Sequence, residues 1–79
     1  MSNLIEYKKI FINSLDFDED KFNENLKYQE IDEWDSIGHM SLISALEEKF
    51  SISFETDDII AYDSYKKGIE LLKKYKVNI

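Results

Sequence analysis

EWDSIGHMSLISALEEKF, residues 33–50, carries the strongest helical period in the chain. Leu42, Leu46 and Phe50 recur every four residues with Ile43 and Ala45 alongside, which predicts a helix over Ser36–Phe50 with one apolar stripe. Asp35 and Ser36 stand where that helix begins, and either side chain can cap it. A second side of the same helix holds Ile37, Met40, Ser44 and Glu47. It starts apolar and ends acidic, which a docking surface explains and a core stripe does not. A long acidic segment delivers the Ser36 hydroxyl to this helix mouth, where backbone N–H groups and the helix dipole suit a phosphate.

Downstream, Ser51 to Glu55 breaks the period, and Ile52 and Phe54 alternate. Thr56 is a good N-cap, predicting a short helix over residues 57–61. Asp63 or Ser64 opens a last helix to about Tyr75, with Tyr65, Ile69, Leu72 and Val77 as its stripe. Lysines near its end suit the dipole. Upstream, residues 16–35 keep no period and form a long connection rich in Asp, Glu and Asn. Tyr28, Ile31 and Trp34 are expected to pin it to the core, because a long loop in a small domain is functional or held by its own apolar side chains. The first helix is expected over residues 2–14, capped by Ser2 or Asn3. Leu4, Tyr7, Ile10, Phe11 and Leu15 face inward there, and Ile5 and Ile12 lie partly exposed. The expected fold is all-α: a small four-helix bundle with a long first loop and a short third helix, in a single domain over residues 1–79.

The balance of 17 acidic residues against 10 lysines gives a net charge of −7. It is uneven: residues 16–35 carry −7 and residues 36–63 carry −5, whereas residues 64–79 carry +4. Such a surface disfavours nucleic acid and anionic lipid and favours basic protein partners. An aromatic content of 14% argues against disorder, and the absence of Pro suits a helical chain. There is no Cys, hence no disulfide or thiolate metal site, and no stretch has the apolar length of a membrane span. The expectation is a cytoplasmic protein without membrane insertion.

Three constellations could carry chemistry. Asp16, Asp18 and Asp20 mimic the first, third and fifth positions of a calcium loop, but Lys21 stands where the turn needs Gly and Lys27 where the ion needs Glu. A solvated acidic loop is the better reading. His39, the single His, lies one turn after Ser36, yet no Gly-rich elbow accompanies the pair, and a surface His on a helix is expected. Glu47 and Glu48 are adjacent on a helix and point apart, so they make no acid/base pair. No catalytic and no metal site is expected.

What remains is the segment over residues 33–50. "DSI" at 35–37, followed by Leu42, Leu46, Glu47, Glu48 and Phe50, resembles the second helix of the acyl carrier protein family, which begins Asp-Ser-Leu. Tyr28 and Ile31 sit where that family pins its first loop, and Phe54 with "TDDII" resembles the approach to its short third helix. The resemblance implies a stand-alone, monomeric, non-enzymatic carrier. Ser36 would bear a covalent 4′-phosphopantetheine taken from coenzyme A, with Asp35 and Ile37 flanking the attachment. An acyl or aminoacyl group would ride on it as a thioester. It implies as partners a phosphopantetheinyl transferase, a loading enzyme and acyltransferases, whose basic patches would meet Met40, Glu47, Glu48, Asp57 and Asp58.

The chain departs from the fatty-acid-synthesis members at Gly38 and Ser41, where those carry acids, and at Trp34, where they carry a small residue. These departures suit a specialised glycan, lipid or small-metabolite pathway. Phe54, Tyr62 and Tyr65, with Trp34 near the mouth, are bulky for an interior acyl tunnel, so a short or polar cargo is expected. The alternative from another class is an acidic helical interaction module without a prosthetic group, in which Ser36 is only a cap.

Overall fold

The computed structural model describes residues 3–79. The chain is all-helical. Helices α1 (Asn3–Leu15), α2 (Ser36–Phe50), α3 (Thr56–Ala61) and α4 (Tyr65–Lys74) are accompanied by one turn of 3-10 helix at Glu19–Lys21. Among the described residues there is no strand, only an isolated antiparallel bridge between Lys27 and Ser64. No described helix is long and apolar enough to cross a membrane.

Helix α1 packs along α2, burying Tyr7, Phe11 and Leu15. Leu4 stays exposed, so the inward stripe of α1 is shorter than its sequence suggests, while Ile5 is exposed as expected of a position off the stripe. The expected cap at Ser2 lies outside the described residues. Helix α1 ends at Asp16, which turns into the left-handed region at φ 55° while its N–H still reaches the Ile12 carbonyl, 2.9 Å. Ser51 ends α2 the same way, also at φ 55°.

The connection between α1 and α2 is held by its own apolar residues, but by a partly different set from the expected one. Phe17, Leu26 and Trp34 are buried, whereas Tyr28, Ile31 and Phe22 pack half-buried on the core. Two backbone bonds fasten it to the α3–α4 junction, Tyr28 N–H to the Asp63 carbonyl (2.8 Å) and Tyr65 N–H to the Leu26 carbonyl (2.9 Å). Within it, Asp18 accepts from Asp20 N–H and caps the 3-10 turn, a local use for one of the acids that mimics a calcium ligand. Among the described residues no three His, Asp or Glu side chains gather as a metal site.

Aromatic rings fill the centre. Phe11 meets Trp34 and Tyr65 edge-on at 5.0 and 5.1 Å, and Tyr7 stacks on Tyr65 at 4.8 Å. Edge-on and offset pairs are the arrangements favoured by the ring quadrupole. Two phenols in this core must be satisfied internally. The Tyr7 hydroxyl donates to the Tyr65 carbonyl at 2.7 Å, so its one hydrogen is used and Tyr62 must donate to it across 2.6 Å. Burial pushes both phenols well above the ordinary tyrosine range.

Helix α3 begins one residue earlier than expected. Glu55, not Thr56, is its N-cap, and no side chain caps it. The N–H groups just upstream are taken instead by distant side chains: Phe54 N–H by Glu47 (2.8 Å) and Glu55 N–H by the Tyr75 hydroxyl (2.9 Å). Helix α4 is capped by Ser64, whose hydroxyl accepts from Lys67 N–H at 3.0 Å. Its buried face includes Gly68 and Leu71 beside the expected Tyr65 and Leu72, while Ile69 is half-buried and Val77 lies past the helix end.

Candidate functional site

Asp35 is the N-cap of α2. Its Oδ1 accepts from Gly38 N–H (2.8 Å) and its carbonyl from His39 N–H (2.8 Å). Capping therefore falls to Asp35, and Ser36 becomes the first helical residue with an exposed hydroxyl, 3.3 Å from the Tyr28 hydroxyl. Gly38 makes this approach possible. A Cβ there would collide with the Glu33 backbone carbonyl, so only glycine lets the incoming loop lie against the first turn.

Trp34 and His39 differ most from expectation. Trp34 is fully buried, at 0% exposure, rather than near a mouth, and His39 is 8% exposed rather than on the surface. One cause explains both. A buried indole N–H needs an acceptor, and His39 Nδ1 lies 3.0 Å from Trp34 Nε1. An indole can only donate, so Nδ1 accepts, Nε2 carries the ring hydrogen, and that hydrogen points at the Ile59 carbonyl 2.9 Å away. His39 thus links the loop before Ser36, helix α2 and helix α3. Both ring nitrogens are engaged away from Ser36, which removes the imagined Ser–His pair.

Between α2 and α3 lies a groove of about 320 Å3, with Ser36 on its lip and Tyr28, His39, Met40, Ile59 and Tyr62 among its walls. Its rim is open to solvent and mostly apolar: Ile60 is 75% exposed and Met40 half exposed, with the exposed Asp63 beside them. Beside it, Ile37 is 78% exposed on the outer surface of α2, which continues through Ser41, Ser44 and Glu48. Exposure of Ile37 and Met40 agrees with the reading of that helix side. Ile60 and Tyr28 were missed as neighbours of Ser36. The "TDDII" string offered a signal, since only one of its two isoleucines can face inward from a single turn.

The acidic positions divide. Glu48 and Asp57 are exposed. Glu47 is half-buried, with one carboxylate oxygen accepting from Phe54 N–H, so it sits deeper than a free surface charge. Asp58 is corrected more strongly. It is 7% exposed, clasped by Lys74 Nζ at 2.9 Å, and takes a hydrogen bond from the Tyr75 hydroxyl. That bond first, and Lys74 second, hold its carboxyl below the usual range. Phe54 packs on Tyr75, and no wall of the groove is formed by it. Compared with family models, with characterised proteins and with solved structures, the chain finds no match.

Proposed function

We propose that this chain is a stand-alone carrier protein of the acyl carrier type, a four-helix bundle in which Ser36 bears a 4′-phosphopantetheine arm. The observation that carries the reading is the state of Ser36: an exposed hydroxyl in the first turn of α2, relieved of capping by Asp35, on the lip of an apolar groove. An exposed apolar groove beside a modifiable hydroxyl suits an arm of mixed polarity, and the helix N-terminus favours a phosphodiester there. The arm, when attached, supplies the thiol that holds an acyl or aminoacyl group as a thioester.

The chain's own residues position and do not catalyse. Asp35 fixes the first turn, and Gly38 admits the loop that brings Ser36 to the surface. A separate phosphopantetheinyl transferase activates the hydroxyl. Ser36 Oγ bonds to phosphorus in the pyrophosphate of coenzyme A, the phosphoanhydride bond breaks, adenosine bisphosphate leaves, and the hydroxyl proton passes to a base of the transferase. Ile37, Met40, Glu48 and Asp57 form the surface offered to basic patches of the transferase, the loading enzyme and acyltransferases. Glu47 and Asp58, bonded internally, support that surface from behind. The test is mass spectrometry of the protein after incubation with coenzyme A and a broad-specificity transferase. A phosphopantetheine-sized addition is expected, abolished in Ser36→Ala. An unmodified protein favours the second reading, an interaction module, for which the exposed Ile37 and Met40 also speak.

A further inference from the structure

We infer that the groove beside Ser36 is the seat of a short acyl group that lies on the surface and never enters the core. The inference rests on the carrier reading and names the class of its cargo.

The groove is small. Its 320 Å3 stands at the lower end of the roughly 300–1,000 Å3 that small-molecule pockets span. An arm on Ser36 can also lie over the shallower, more open surface of Ile37, Ser41 and Glu48 beside it, about 690 Å3. A long chain could be hidden from water only by parting α2 from α3. The groove floor opposes this. Its deep wall is made by Tyr62, 2% exposed, and by His39, and every polar atom of the two is turned inward and paired. Parting the helices breaks the bond from His39 Nε2 to the Ile59 carbonyl and strains the one from Trp34 behind it. Moving Tyr62 strips Tyr7 of its donor. Among the described residues no buried side-chain polar atom lacks a partner, so these groups have nowhere else to turn.

The wall also cannot sink. Gly68 on α4 lies directly under the Tyr7 and Tyr62 hydroxyls, so close that even a Cβ would collide with both. Helix backbone therefore backs the Tyr62 ring. In contrast the Met40–Ile60 part of the rim is apolar and free of such ties, and the one acid on the rim, Asp63, is exposed to water. Met40 and Ile60 present exposed side chains at the level of Ser36, a surface that gains from being covered. A short acyl group covers them and disturbs no internal bond.

The experiment has two arms. In the first, Ser36 is loaded by the transferase from acetyl-, butyryl-, octanoyl- or dodecanoyl-coenzyme A, which leaves the acyl-phosphopantetheine on the hydroxyl and releases adenosine bisphosphate, confirmed by mass, and methyl and aromatic NMR shifts are recorded with the melting temperature. In the second, S-butyl and S-octyl pantetheine thioethers are titrated into the unmodified protein. Expected are shifts at the Met40 and Ile60 methyls that grow from acetyl to butyryl and then level off, with Leu46 and Leu72 unmoved and the melting temperature flat beyond butyryl. Ile60→Ala should shrink the Met40 response while leaving the melting temperature unchanged. Shifts at Leu46 and Leu72 that grow through dodecanoyl, with rising melting temperature, would overturn the inference while keeping the carrier. The same holds for loaded protein with no shift at Met40 or Ile60. Failure of every transferase to load Ser36, with the thioethers still shifting Met40 and Ile60, would overturn the carrier reading and leave the groove's preference standing.

Discussion

Asp35 and Ser36 are neighbours with different tasks, and substitution separates them. Asp35 closes the first turn of α2 through Gly38 N–H, so Asp35→Ala should cost about 0.5–2 kcal/mol, the usual loss for an N-cap. For a domain this small, each 1 kcal/mol lowers the melting temperature by about 4–8 °C. Ser36→Ala removes a hydroxyl whose bond to Tyr28 is long and exposed, and should leave the melting temperature near that of the parent. Thermal unfolding of the two variants side by side checks this. Equal losses would mean that Ser36 shares the capping. Trp34 and His39 belong to the same scale. Trp34→Phe keeps an aromatic ring but leaves a cavity in a fully buried site and orphans His39 Nδ1; the unpaired acceptor should cost about 1–3 kcal/mol, and the lost packing adds to it. Denaturant unfolding measures it, and a loss below a few tenths would show that water replaces the indole.

Helix α4 and helix α3 each depend on one contact, and the one in α4 inverts an ordinary rule. In an open helix Gly→Ala stabilises by about 1 kcal/mol. At Gly68 the added methyl meets the Tyr7 and Tyr62 hydroxyls, so Gly68→Ala should destabilise by about 1–3 kcal/mol instead, as overpacking does. Adding Tyr62→Phe removes one of the colliding oxygens. The double variant should therefore lose less than the two single losses combined, and strict additivity in denaturant unfolding would place the collision elsewhere. Helix α3, a short element with no side-chain cap, leans on Asp58. The hydrogen bond from Tyr75 and the Lys74 ammonium lower the Asp58 carboxyl from its ordinary 3.8. Unfolded chains then bind this proton more readily than folded ones. The Asp58 contribution is present above the ordinary carboxyl range and is lost as pH falls through the lowered folded value. The stability gap between the parent and Asp58→Asn should be widest near neutrality and narrow in acid. Denaturant midpoints across pH test it, and a gap constant down to pH 2 would contradict the linkage.

Across the whole molecule, charge opposes compaction. The net −7 is spread over a body of 29 × 29 × 20 Å. The screening length is about 30 Å at 0.01 M salt and about 3 Å at 1 M, so at low salt each acid in the first loop feels those of α2 and α3. Sodium chloride should raise the melting temperature over that range, because self-repulsion is what it screens. A melting temperature independent of ionic strength would mean that self-repulsion among these acids does not limit stability.

Local signals carry a definite part of this protein. Period and capping, which act within one turn, determine that residues 36–50 are helical, that Ser36 stands at their start, and that Ile37 and Met40 lie off the core stripe. That helices start near Ser36 and Tyr65 follows from caps that reach only three residues, while the choice of Asp35 over Ser36 and of Ser64 over Asp63 is made in the fold. The tertiary structure alone decided what Trp34, His39, Glu47, Asp58, Ile60 and Gly68 do. Their partners lie outside the local turn and most stand far off: Ile59 is 20 residues from His39 and Lys74 is 16 from Asp58, and even the nearer pairs, Trp34 with His39 and Glu47 with Phe54, join separate segments. A hydrogen bond between such positions leaves no periodic trace, so a lone histidine reads as surface and a carboxylate as free until the fold brings its donor. Gly68 is silent for the same reason: what makes a side chain impossible there is a pair of phenol oxygens from α1 and from the turn after α3.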